Sequence, residues 1–188
     1  AIDIGLIHDE TSAIAYFEEV LEMLLVRFEL PVLKRLMQHH DDSEEFLVWA
    51  NLYKASRESK ELLAESQQLA FSLNAWIKDV LKKTVEVKKQ FGFVPVYAQL
   101  CGRLELNDMD VLTAYTFTVL ENQVLAAVKT VPLGQMAGQR ILWYLHGLVP
   151  QAVEKALKLN DEQLSSALPR YAMLSMKHET QYSRLFRS

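Results

Sequence analysis

Cysteine is almost absent. The single Cys101 excludes a disulfide framework and suits a reducing compartment. Turn formers are scarce too: 6 glycines and 5 prolines in 188 residues leave little room for an architecture of many short strands. There is no excess of positive charge. The 24 acidic and 20 basic residues leave a formal net charge of −4, which argues against a nucleic-acid binder with a basic face. No apolar run approaches the ~20 residues that a membrane-crossing helix needs, and no signal peptide opens the sequence. What remains is half hydrophobic and 23% charged, the balance of an ordinary globular chain. A cytoplasmic protein with one domain over residues 1–188 is the expectation.

Helical periodicity fills most of that length. Ile14, Phe17, Leu21, Leu24, Leu25 and Phe28 recur every three or four residues, with Asp9 or Thr11 as a cap. Pro31 predicts a new start, carrying Leu33, Leu36 and Met37 toward His39 and His40. Asp42 with Glu45 resembles a capping box ahead of Phe46, Leu47, Trp49, Ala50 and Tyr53. The apolar residues of 62–81 predict one long helix, or two joined near Asn74. Residues 84–91 alternate like a strand but are too short to anchor a sheet, so they read as a helix end or a connection. Val96, Tyr97, Leu100 and Cys101 mark a helix that stops near Gly102, and Asn107 caps a strong one ending close to Lys129. Pro132 predicts another start, with Ile141, Leu142, Tyr144 and Leu145 on a helix that Gly147 and Pro150 close. Asn160 and Pro169 open the last segments. The expected fold is all-α: a compact single-domain bundle of roughly eight to ten helices.

Catalytic and metal signals fail on spacing. His178-Glu179-Thr180-Gln181-Tyr182 begins like a zincin helix but has Tyr where the second imidazole must stand. No Glu-x-x-His pair suggests a di-iron bundle. Gly134-Gln135-Met136-Ala137-Gly138 lacks the Lys-Ser/Thr end of a phosphate loop, and its two glycines would let another backbone approach one helical face. Cys101 reads as a buried, inert thiol, and Met136 with the spaced aromatics reads as core. His39-His40-Asp41-Asp42 is either a solvated turn or a divalent-metal site. Glu61, Glu65 and Glu121 would matter to an enzyme only if they converged in one cleft. No catalytic residue and no metal site is expected.

Two stretches are odd for a plain bundle. Residues 129–139 place Pro132, Gly134, Gly138, Gln135 and Gln139 at a helix junction, where helix propensity alone would avoid them. Gln135 and Gln139 are one turn apart and share a face. The sequence then ends in Arg184-Leu185-Phe186-Arg187-Ser188, apolar residues flanked by cations, a pattern suited to anchoring in another protein.

These stretches carry a resemblance. Val131-Pro132-Leu133-Gly134-Gln135 with Gln139, then His178-Glu179-Thr180-Gln181-Tyr182-Ser183-Arg184-Leu185-Phe186-Arg187-Ser188, closely resemble the UreF family of urease accessory proteins. Leu30-Pro31-Val32 and Arg57-Glu58-Ser59-Lys60-Glu61-Leu62 add weaker matches. Family members usually begin with a Gly-aromatic-Ser-x-Ser-x-Gly-Leu-Glu stretch ahead of the segment that starts here at Ala1. A shortened form is therefore expected, and no role of that stretch is carried over.

The resemblance implies an all-helical, homodimeric protein that is not an enzyme. It implies bridging between a scaffold protein (UreD, also called UreH) and a nickel-carrying GTPase (UreG), and docking of that assembly on urease apoprotein. Nickel is then handled by the complex, with no cofactor held stably by this chain. Carried over by position, Lys129, Pro132, Gly134, Gln135 and Gln139 form the surface facing the GTPase or a second subunit. His178, Glu179, Tyr182, Arg184, Leu185, Phe186 and Arg187, in a tail over 178–188, engage the scaffold. A competing reading is a direct nickel-binding carrier using His39, His40, Asp41 and Asp42.

Overall fold

The structure, a computed structural model, describes residues 6–41, 43–57, 59–85 and 89–165. Among them every regular element is helical, as the periodicity requires. The first helix, α1 (Glu10–Glu19), starts at a capping box: Asp9 accepts the Ser12 N–H at 2.8 Å, and Ser12 Oγ accepts the Asp9 N–H at 3.0 Å. The chain continues without a break through a π-helical stretch (Val20–Glu29) into α2 (Leu30–Gln38). Pro31 thus does not restart the helix. It lacks the N–H that would reach the Arg27 carbonyl, and that carbonyl instead accepts the Ser165 N–H at 3.1 Å.

After α2 come α3 (Ser43–Ala55), α4 (Lys60–Asp79), a 3-10 turn (Lys89–Phe91), α5 (Phe93–Arg103), α6 (Asp108–Thr130), α7 (Gln135–Leu157) and a second 3-10 turn (Asp161–Gln163). Counting continuous rods, the described residues form six helices and two short turns, fewer than the eight to ten expected. The excess came from reading every proline and polar interruption as a break. Asn74 lies inside an unbroken α4, and α7 runs through both Gly147 and Pro150. Pro132 is not a helix start either, since α7 begins at Gln135 behind Gly134.

The described residues gather into two compact units, one taking the chain through Pro31 and again from Asn107, the other taking Val32–Leu106. In the first, α6 and α7 form an antiparallel hairpin with Leu112, Leu120, Val124, Ile141, Leu145 and Val149 buried, and α1 packs on α7. Asn107 caps α6 by accepting the Met109 N–H at 2.9 Å. α6 has 23 residues, and its most apolar 18-residue stretch has a mean hydropathy of 1.2, enough by length and composition alone for a membrane span, where no such run was expected. Its Val111, Leu112, Tyr115, Thr116, Leu120, Val124 and Ala127 instead make a stripe buried in this unit. Glu29, also buried here, accepts the Tyr115 hydroxyl at 2.7 Å.

In the second unit α4 packs on α5 around a small polar knot. Ser66 Oγ accepts the Phe93 N–H at 2.9 Å and lies 3.2 Å from the Tyr53 hydroxyl. Gly92, with φ at 93°, passes so close that a Cβ there would lie 2.5 Å from Ser66 Oγ. Cys101 is buried on α5, and burial pushes its thiol up to about 11, as suits an inert group.

Candidate partner-binding surface

The junction between α6 and α7 is built from a helix stop, a tight loop and a glycine start. The Val131 N–H still bonds the Ala127 carbonyl at 2.8 Å, and Val131 itself is buried, which pins the end of α6. Pro132 then fills a three-residue turn closed by the Leu133 N–H on the Val131 carbonyl at 2.7 Å. Gly134 adopts φ 77°, a conformation that side chains resist, and the Gly138 N–H returns to its carbonyl at 3.3 Å. Nothing lies near the position of a Gly134 Cβ, so this glycine serves conformation. Gly138 serves packing: its Cβ would meet Val128 Cγ2 at 2.6 Å.

Around this loop Lys129, Pro132, Gly134, Gln135 and Gln139 are all exposed. Gln135 and Gln139 stand one turn apart on the solvent side of α7, as their spacing required. Two larger side chains join them, although helical spacing assigned Met136 to the core and did not single out Trp143. Met136 is 70% exposed and Trp143 83% exposed. Their spacing, seven residues with Gln139 between, was the available signal.

The other edge of α7 is fixed to the start of the chain by charge. Arg140 donates to both carboxylate oxygens of Glu10, with Nε to Oε1 at 2.9 Å and Nη2 to Oε2 at 2.5 Å. That guanidinium holds the Glu10 carboxyl below its ordinary range. The Tyr144 hydroxyl donates to Glu18 at 2.6 Å, which raises the phenol, and Lys155 donates to Glu22. Further along the hairpin, a shallow groove of about 320 Å³ is lined by Asp110, Phe117, His146 and Pro150 among others, with the His146 ring edge-on to Phe117 at 5.6 Å. The exposed residues of the junction thus sit on a packed hairpin whose outer edge carries ion pairs to α1 and the π-helical stretch.

The tail residues His178, Glu179, Tyr182, Arg184, Leu185, Phe186 and Arg187 lie outside the described residues, as does Asp42. Of the other candidate metal residues, His40 has Nδ1 2.8 Å from the Met37 carbonyl and Nε2 3.1 Å from Asp41. Among the described residues no group of three or more His, Cys, Asp or Glu side chains is placed to hold a metal ion. Glu65 is exposed, and Glu61 and Glu121 are only partly covered, so none is the buried carboxylate an enzyme reading requires.

Known proteins match this organisation along its length. The family model UreF matches residues 7–146. The urease accessory protein UreF of Ralstonia pickettii is 39% identical over 204 residues, covering 100% of this chain and 86% of its own. That of Methylobacillus flagellatus is 38% identical over 195 residues, again covering 100% and 86%. That of Bordetella bronchiseptica is 37% identical over 199 residues, covering 100% and 90%. With the family model spanning most of the sequence and these relatives spanning all of it, the chain belongs to the UreF family of urease accessory proteins.

Proposed function

We propose that this protein is a cytoplasmic assembly factor in urease maturation that joins a scaffold protein (UreD/UreH) to a nickel-carrying GTPase (UreG) and presents both to urease apoprotein. Nickel is cargo of that complex rather than a cofactor of this chain. The observation that carries the reading is the α6–α7 junction: Lys129, Pro132, Gln135, Met136, Gln139 and Trp143 exposed together on a charge-anchored hairpin. Exposed aromatic and long polar side chains on a rigid support are what a protein interface uses as anchors. On this reading the junction meets the GTPase or a second copy of the chain in a homodimer. The 178–188 tail meets the scaffold, with Leu185 and Phe186 in an apolar pocket and Arg184 and Arg187 on acidic groups at its rim.

The test is co-purification of the chain with the scaffold and the GTPase, read by size-exclusion chromatography with light scattering. A ternary complex is expected. Gln135→Ala with Trp143→Ala should release the GTPase while keeping the scaffold, and deletion of residues 183–188 should do the reverse. A ternary complex indifferent to both changes would refute the placement of the two surfaces. Absence of any complex, including with a family-type N-terminal stretch placed ahead of Ala1, would refute the function. The carrier alternative has less support, because Nδ1 of His40 is already taken up by the Met37 carbonyl and, among the described residues, no three His, Cys, Asp or Glu side chains are placed to hold a metal ion. Tight stoichiometric nickel in equilibrium dialysis, lost in His39→Ala and His40→Ala, would restore it.

A further inference from the structure

Helix α4 is built the wrong way round for a helix whose only task is to fold. Over Lys60–Asp79 its fully buried residues are Ser66, Ala70 and Ile77, two of them small. Leu62, Leu63 and Leu73 are half-buried, while three large apolar side chains face water: Leu69 is 50% exposed, Trp76 48%, and Val80, at the helix end, 59%. Taken from Glu65, the positions Leu69, Ser72, Trp76 and Val80 fall at i+4, i+7, i+11 and i+15, a single stripe along the helix. Three large apolar side chains exposed along one helical face, with only Ser72 between Leu69 and Trp76 on that face, mark a contact surface.

The charges on α4 are sorted by sign about that stripe. Glu61, Glu65 and Asp79 lie on it or along one edge. The two lysines of the helix, Lys60 and Lys78, are each nine residues from Leu69, two and a half turns, which places them on the opposite side. Phe71 also lies off the stripe, where Lys89 covers its ring at 5.0 Å. The stripe is therefore apolar with carboxylates beside it and no lysine of its own.

We propose that this face of α4 docks a basic amphipathic helix of a partner protein, whose apolar residues seat on Leu69, Trp76 and Val80 and whose lysines or arginines meet Glu65 and Asp79. An anionic lipid surface is disfavoured by those same carboxylates. The residues of this face are other than those assigned to the junction and the tail, so its test needs none of the urease proteins.

The probe is a fluorescently labelled Leu/Lys amphipathic peptide of about eighteen residues, five helical turns, titrated into the whole protein and read by anisotropy. A Leu/Glu peptide of the same pattern and phosphatidylcholine–phosphatidylserine vesicles are the comparisons. The Leu/Lys peptide should bind, with Trp76→Ala weakening it by about ten-fold or more and Leu125→Ala, at an exposed apolar residue of α6, leaving it unchanged. Glu65→Lys with Asp79→Lys should weaken it similarly and admit the Leu/Glu peptide. These are exposed positions, and unchanged far-ultraviolet dichroism verifies each fold; the charge pair carries the test alone if Trp76→Ala perturbs it. Equal binding of both peptides, or affinity indifferent to the α4 changes, overturns the proposal. Vesicle binding that depends on Trp76 would overturn it in favour of a membrane.

Discussion

Gly138→Ala is the sharpest probe of the hairpin that carries the junction. A lone methyl at residue 138 would lie 2.6 Å from Val128 Cγ2, about an ångström inside ordinary carbon contact. Valine in a helix has one dominant χ1 rotamer, so Val128 cannot simply swing aside. Overpacking of this kind costs about 1–3 kcal/mol, while replacing glycine with alanine in the first turn of α7 returns at most about 1 kcal/mol of propensity. The net is a destabilisation of about 1 kcal/mol, or ~2–4 °C in Tm for a chain of this size. Thermal and urea unfolding followed by circular dichroism would measure it. Val128→Ala removes the clashing methyl, so the double variant should recover stability, with a coupling of about 1–2 kcal/mol in the cycle. A Gly138→Ala protein as stable as the parent, with no coupling to Val128→Ala, would refute the close approach as the reason for glycine.

The geometry sets three other outcomes. Glu10 is held below its ordinary pKa by Arg140, so the folded state releases that proton more readily than the unfolded chain. The pair's contribution is therefore present above the ordinary carboxylate range and lost as pH falls through the depressed pKa. Arg140→Gln should be less stable than the parent at neutral pH and equal to it in acid; a difference that persists in acid counts against the pair. Tyr115→Phe removes the hydroxyl that serves buried Glu29 and should cost about 1.5–3 kcal/mol in urea unfolding, whereas a cost below about 0.5 kcal/mol would mean the carboxylate does not depend on it. The Cys101 thiol, raised to about 11, should react with a thiol reagent at pH 8 only as fast as the protein opens. Rapid stoichiometric labelling of the native protein would contradict its burial.

Helix identity and several helix starts were legible in the sequence because their causes are local. A cap needs only its own side chain and the next three N–H groups, so Asp9, Asn107 and Asn160 each announce a helical turn directly after them. The 3–4 period of Val111, Leu112, Tyr115, Val119, Leu120 and Val124 likewise marks α6 in the sequence, and all but the half-buried Val119 are buried. The junction residues stood out for the same reason: proline, glycine and glutamine violate helix propensity within a few positions of one another.

Tertiary structure decided what depends on distant partners. Pro31 and Pro150 look like stops in isolation, yet both lie inside helices. At Pro31 the carbonyl it leaves over is taken by Ser165, far along the chain. Exposure of Met136 and Trp143 was equally hidden, because an apolar residue at helical spacing points inward only if another element covers it. The Arg140–Glu10 clamp joins residues 130 positions apart, and no local pattern encodes such a pair. Backbone propensity acts over one or two turns and can be read from neighbours; burial and ion pairing are settled only when the chain has chosen which surfaces meet.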